Sequence, residues 1–60
     1  MKINNILNKA KQGYLLKLPN FEGYFKWDYG TNILMFHNKD YTCKAQDLPI
    51  SDRTDWYYII

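Results

Sequence analysis

Ile3, Ile6, Leu7 and Ala10 recur at helical spacing, and Asn4, Asn5, Asn8, Lys9 and Lys11 fill the opposite side. This pattern predicts one short amphipathic helix over Ile3 to Gln12, whose apolar stripe is meant for a sheet. Gly13 stands where a helix stop belongs, and Lys9 and Lys11 suit the negative end of the helix dipole. A helix this short does not hold in isolation and must dock. The period then changes. Tyr14 to Leu18 alternates weakly, as a first strand, and Pro19-Asn20 breaks it. Gly23 to Asp28 reads as a second strand with rings on both faces. The turn Tyr29-Gly30-Thr31-Asn32 leads into a third strand, Ile33 to Phe36. After a polar turn at His37-Asn38-Lys39-Asp40, Tyr41, Cys43 and Ala45 alternate with Thr42 and Lys44 in a fourth strand. Gln46 to Thr54, with Pro49, Ser51 and Asp52, is a longer connection.

The chain closes on Asp55-Trp56-Tyr57-Tyr58-Ile59-Ile60. Left loose, such a run would aggregate, because its β-propensity is high and its charge low. The expectation is a final strand within the sheet, anchored by Trp56. The whole pattern predicts an α+β fold: one N-terminal helix packed on a four- to five-stranded antiparallel meander, in a single domain spanning residues 1–60. One sheet face lies under the helix. Leu34, Phe36, Phe25, Tyr57 and Ile59 are expected to furnish an uncovered second face.

Composition sharpens this picture. A 60-residue domain buries only about 60% of its unfolded surface. Staples are scarce: one cysteine excludes an internal disulfide, and one histidine with one cysteine cannot build a four-ligand zinc site. Rings make up 18% of the residues, more than so small a core can hide, so some should meet a partner, a ligand or a second copy of the chain. A homo-oligomer is therefore expected. Eight Lys+Arg against six Asp+Glu leave a net charge of +2, which permits an anionic partner without pointing to nucleic acid. No signal-peptide pattern and no apolar run near 20 residues is present, and a lone thiol fits a reducing compartment. The expected location is the cytoplasm, with no membrane partner.

Catalysis is not expected. The acids Glu22, Asp28, Asp40, Asp47, Asp52 and Asp55 fall mostly at turns, and His37 reads as a solvated turn residue. Cys43 reads as a small buried hydrophobe, with no neighbour in sequence to activate it. The three glycines stand too far apart for a phosphate loop. Neither a cofactor nor a metal is called for. Binding is the better expectation, since Lys17, Lys26, Lys39, Lys44 and Arg53 lie among Tyr14, Tyr24, Trp27, Tyr41 and Trp56. Rings stack bases and cations hold phosphates, although lysine stems also cover aromatic edges on ordinary sheets. Arg53 either pairs with the flanking Asp47, Asp52 or Asp55, or grips a phosphate while the acids accept from hydroxyls. Asp55 could equally cap a turn before Trp56.

The opening Met1-Lys2-Ile3-Asn4-Asn5-Ile6-Leu7, the stop Lys11-Gln12-Gly13, Asp47-Leu48-Pro49-Ile50 and the closing Asp55-Trp56 with Ile59-Ile60 carry a resemblance. Together they resemble a family of small phage-encoded anti-defence proteins. That family includes the second type of Thoeris anti-defence protein, a sponge for a cyclic ADP-ribose signal, and an anti-CRISPR protein. The likeness covers both ends of the chain and little of its middle. Leu18 replaces a family arginine, Phe21 stands at its tryptophan, Glu22 follows in place of asparagine, and four extra residues precede Asp55-Trp56. The resemblance implies a non-catalytic protein that sequesters a nucleotide immune signal, either cyclic ADP-ribose-like or a cyclic nucleotide. In that reading Trp27 and Trp56, or Phe21, stack the base, Lys17 and Arg53 hold phosphate, and Asp55 reads hydroxyls. Two alternatives stand beside it. One is an inhibitor docking its aromatic sheet face on a host protein. The other is a weak single-strand nucleic-acid binder, which the mild charge disfavours.

Overall fold

A computed structural model describes residues 2–59. Met1, which begins the family-like opening, and Ile60, the expected last residue of the final strand, lie outside the described residues. Helix α1 (Ile3–Lys11) is followed by β1 (Leu15–Lys17), β2 (Tyr24–Asp28), β3 (Ile33–His37), β4 (Thr42–Lys44), a short 3-10 turn (Ala45–Asp47) and β5 (Tyr57–Ile59). All five strands form one antiparallel sheet in the order β4-β3-β2-β1-β5. Strands β1 to β4 are a meander. The chain then crosses the covered face and adds β5 at the free edge of β1, so the fold is α+β as the sequence pattern indicates.

Helix α1 stops as its glycine demands. The Tyr14 N–H bonds to the Lys9 carbonyl (3.0 Å) and the Gly13 N–H to that of Ala10 (3.0 Å), with Gly13 at φ +105°. These two bonds make a Schellman cap, and the Lys9 ammonium lies 5.5 Å from the centre of the Tyr14 ring. Between β1 and β2, the Phe21 N–H reaches the Leu18 carbonyl (3.3 Å) with Asn20 at φ +69°, the residue type a type II turn accepts at its third position. Gly23 (φ +125°) is required twice over, because a Cβ there would sit 2.3 Å from the His37 carbonyl oxygen. Asp28 accepts from Gly30 N–H (3.1 Å) and Thr31 Oγ1 (2.8 Å) to close the β2–β3 turn. Asn38 Oδ1 accepts from the N–H groups of Asp40 and Tyr41 to close the β3–β4 turn.

The register decides which side chains are core. Leu16 pairs with Phe25, Phe25 with Phe36, and Phe36 with Cys43, so these four stand in one row on the face that α1 covers. Trp27 and Leu34 form the next row. Ile6 and Ala10 of α1 press on this face, and Leu18, Ala45, Ile50 and Trp56 complete the core. Trp56 is 3% exposed, with its ring edge-on to Phe25 at 4.8 Å, and anchors β5 as expected. Cys43 is half-buried against the same cluster.

Three expectations need correcting. Phe25, Leu34 and Phe36 are not on the uncovered face, because the direct pairs Phe25↔Phe36 and Trp27↔Leu34 tie them to Leu16 beneath the helix. Of the five residues expected on that face, only Tyr57 and Ile59 are there, as the register Lys17↔Tyr57 and Leu15↔Ile59 requires. Second, His37 is not a turn residue but the last residue of β3, its ring stacked on that of Tyr24 at 5.2 Å and 19°. Third, Trp56 lies just before the final strand rather than in it.

Candidate functional site

The connection from the 3-10 turn to β5 carries the residues of greatest chemical interest, and its local bonds explain their placement. Leu48 N–H returns to the Ala45 carbonyl (3.1 Å), Ile50 N–H to that of Leu48 (2.9 Å), and Arg53 N–H to that of Ile50 (3.1 Å). Ile50 and Trp56 are both buried, so the loop is pinned at each end and Arg53 is presented between them. Its guanidinium forms a two-pronged pair with Asp55: Nε donates to Oδ1 at 2.9 Å, and Nη2 donates to Oδ2. Nη2 also donates to the Pro19 carbonyl at 3.2 Å, which ties the loop to the β1–β2 turn. The same guanidinium lies 5.7 Å from the centre of the Phe21 ring.

Phe21, in turn, is seated edge-on to Phe36 (6.0 Å) and tilted on Phe25 (6.3 Å). The corner therefore has a floor of packed rings and a charged pair above it that stays partly in water, with side-chain exposures of 31% for Arg53 and 43% for Asp55. Hydrogen bonding from Arg53 holds the Asp55 carboxyl below its ordinary range, and the bond to Asp55 raises the Arg53 guanidinium. Both groups stay charged across the neutral range. The corner thus sets side by side a guanidinium whose Nε–Nη2 edge is held by Asp55, a carboxylate with further acceptor capacity and an aromatic wall.

The residues singled out in the sequence divide among four places. Phe21, Arg53 and Asp55 converge at this corner from segments 32 residues apart in the chain. Trp56 lies beneath it, buried in the core, and in this conformation presents no ring face to a base. Lys17 belongs to the opposite sheet face, beside Tyr57. Trp27 is on the covered face, where the Lys11 ammonium lies 5.1 Å from its ring centre. It lines an open, largely apolar cleft of about 380 Å³ with Ile3, Leu7, Leu34, Leu48 and Ile50. Asp47 and Asp52, the other acids considered for Arg53, are exposed and make no ion pair with it.

No protein-family model matches the chain, and comparison with curated proteins and with solved structures finds no match. The chemistry of the site therefore rests on its own geometry. Among the described residues, no three His, Cys, Asp or Glu side chains are grouped to hold a metal ion, and no helix is long and apolar enough to cross a membrane.

Two features escaped sequence reasoning. The cleft needs the 3-10 turn and the following loop folded against Ile3 and Leu7, and nothing in the spacing of Gln46 to Thr54 announces that. The second is the pairing of Tyr24 with His37 and Lys26 with Met35 on the open face, which depends on register. The alternation of Tyr24, Phe25, Lys26 and Trp27 was the available signal, but both of its faces carry a ring.

Proposed function

We propose that this chain is a non-catalytic, phage-type anti-defence protein that binds and sequesters a nucleotide immune signal at the Phe21–Arg53–Asp55 corner. The observation that carries the reading is the convergence of those three residues from separate segments onto one partly exposed corner. Each matches a demand of the ligand class. The guanidinium, fixed by its pair with Asp55, has its remaining N–H groups to donate to phosphate oxygens. The Asp55 carboxylate, held ionised, accepts from ribose hydroxyls. Phe21, backed by Phe25 and Phe36, gives a base an aromatic wall. None of these groups is arranged as an acid–base pair in a closed cleft, which fits capture better than turnover. The family-like segments at both ends of the chain lend the same reading support.

Self-association belongs to the proposal. The apolar cleft beside Trp27 is surface that a second copy would cover. The setting is the cytoplasm of the host cell.

Calorimetry with cyclic ADP-ribose isomers, cyclic dinucleotides and cyclic mononucleotides tests the reading. One of these ligands should release heat with the native protein, and Arg53→Ala should weaken it at least tenfold while leaving the near-ultraviolet dichroism of the rings unchanged. Absence of heat across the whole panel would remove the proposal.

A further inference from the structure

We infer that the open face of the sheet is a second binding surface, one that takes single-stranded nucleic acid. The face is built from residues that the register sets side by side. Lys17 pairs with Tyr57 and, one step from Leu16↔Phe25, stands beside Tyr24. Lys26 and Lys44 flank Met35 from its two sides. Three lysines thus share one face of a chain whose overall charge is only +2. The only carboxylate among the strand positions of that face is Asp28, the next residue on this face after Lys26, and it accepts hydrogen bonds from Gly30 and Thr31.

Rings and cations alternate across the strands. Tyr24 is 37% exposed and Tyr57 45%, with Lys17 between them. Two strand spacings separate these tyrosines by about 10 Å, against about 3.4 Å per stacked base, which leaves room for bases above the Lys17 stem. An open depression of about 320 Å³ lies alongside, lined by Lys26, Met35 and His37 and, at one side, by Asp28.

Charge selects the occupant. A second copy packed on this face would set two surfaces of the same sign, with three lysines each, against one another. An acidic protein would meet the charge, but lysine is depleted from protein–protein interface cores, whereas rings interleaved with cations on an open sheet are the composition of strand-binding grooves.

Fluorescence anisotropy of a labelled ten-nucleotide thymidine oligomer, read across a salt series, tests the inference. With three phosphates neutralised, log K should fall against log salt with a slope of about −2, and Lys17→Ala or Lys26→Ala should each reduce that slope by about 0.7. Tyr57→Ala should weaken binding by about fivefold or more, through lost stacking. Lys39→Ala, in the β3–β4 turn, should change neither. The inference is overturned by no binding at low salt, by a slope that the lysine variants leave unchanged, or by tighter binding of a ten-residue glutamate peptide than of the oligonucleotide. Arg53 is not among the strand positions of this face, so loss of nucleotide capture in Arg53→Ala with strand binding intact would show the two sites to be separate.

Discussion

Single residues set the sharpest expectations. Gly23 and Gly13 both hold positive φ, but they differ in surroundings. A Cβ at Gly13 meets nothing within 4 Å, whereas at Gly23 it meets the His37 carbonyl oxygen at 2.3 Å and Asn38 Cβ at 2.9 Å. Gly13→Ala should therefore cost about 1 kcal/mol, the backbone penalty alone. Gly23→Ala adds a clash with backbone and should cost more than twice as much, read as a difference in urea midpoint between the two variants. Asp55 gives an expectation in pH. Its folded-state value is depressed, chiefly by the hydrogen bond from Arg53, so its contribution is full above the ordinary carboxylate value of 3.8 and is lost as pH falls through the lower, folded one. Carboxyl chemical shifts should place the Asp55 midpoint below 3.8, and Arg53→Ala should return it toward that value. Of the alternatives left open by the sequence, the Arg53–Asp55 pair is the one that forms, and Asp47 and Asp52 could not be separated from Asp55 by spacing alone.

At the scale of elements, periodicity carried the most information. The stripe of Ile3, Ile6, Leu7 and Ala10 fixed the helix and its buried side, because a 3.6-residue repeat leaves little choice of face. Burying Ile6 completely is what docks the helix, so Ile6→Ala should destabilise the fold by about 2–5 kcal/mol, enough to leave a marginal domain partly unfolded at room temperature by circular dichroism. Strands were legible as runs but not as faces. Tyr24 to Trp27 offers rings to both sides, and a one-residue change of parity exchanges the faces entirely. That is why Phe25, Leu34 and Phe36 were expected on the open side and lie on the covered one. The loop from Gln46 to Thr54 was opaque for a different reason. Its conformation comes from burying Ile50 and Trp56 against the sheet, a tertiary effect that local residue types do not encode.

For the whole molecule, net charge proved a poor guide to surface chemistry. A value of +2 averages over a covered face, a helix and an open face on which Lys17, Lys26 and Lys44 gather. The aromatic surplus divides likewise. Phe25, Phe36 and Trp56 make the interior, Phe21 bridges from that interior to Arg53, and Tyr24 and Tyr57 remain outside. The small domain thus carries two unlike surfaces: a charged corner with an aromatic floor and a flat face of rings and lysines. Amide shifts in a ¹⁵N-labelled sample, followed while cyclic ADP-ribose isomers and cyclic nucleotides are added in turn, test the proposed capture most directly. Saturable shifts concentrated at Phe21, Arg53 and Asp55 are expected. Shifts confined to the Trp27 cleft or the open sheet face, or none at any ligand concentration, would contradict it.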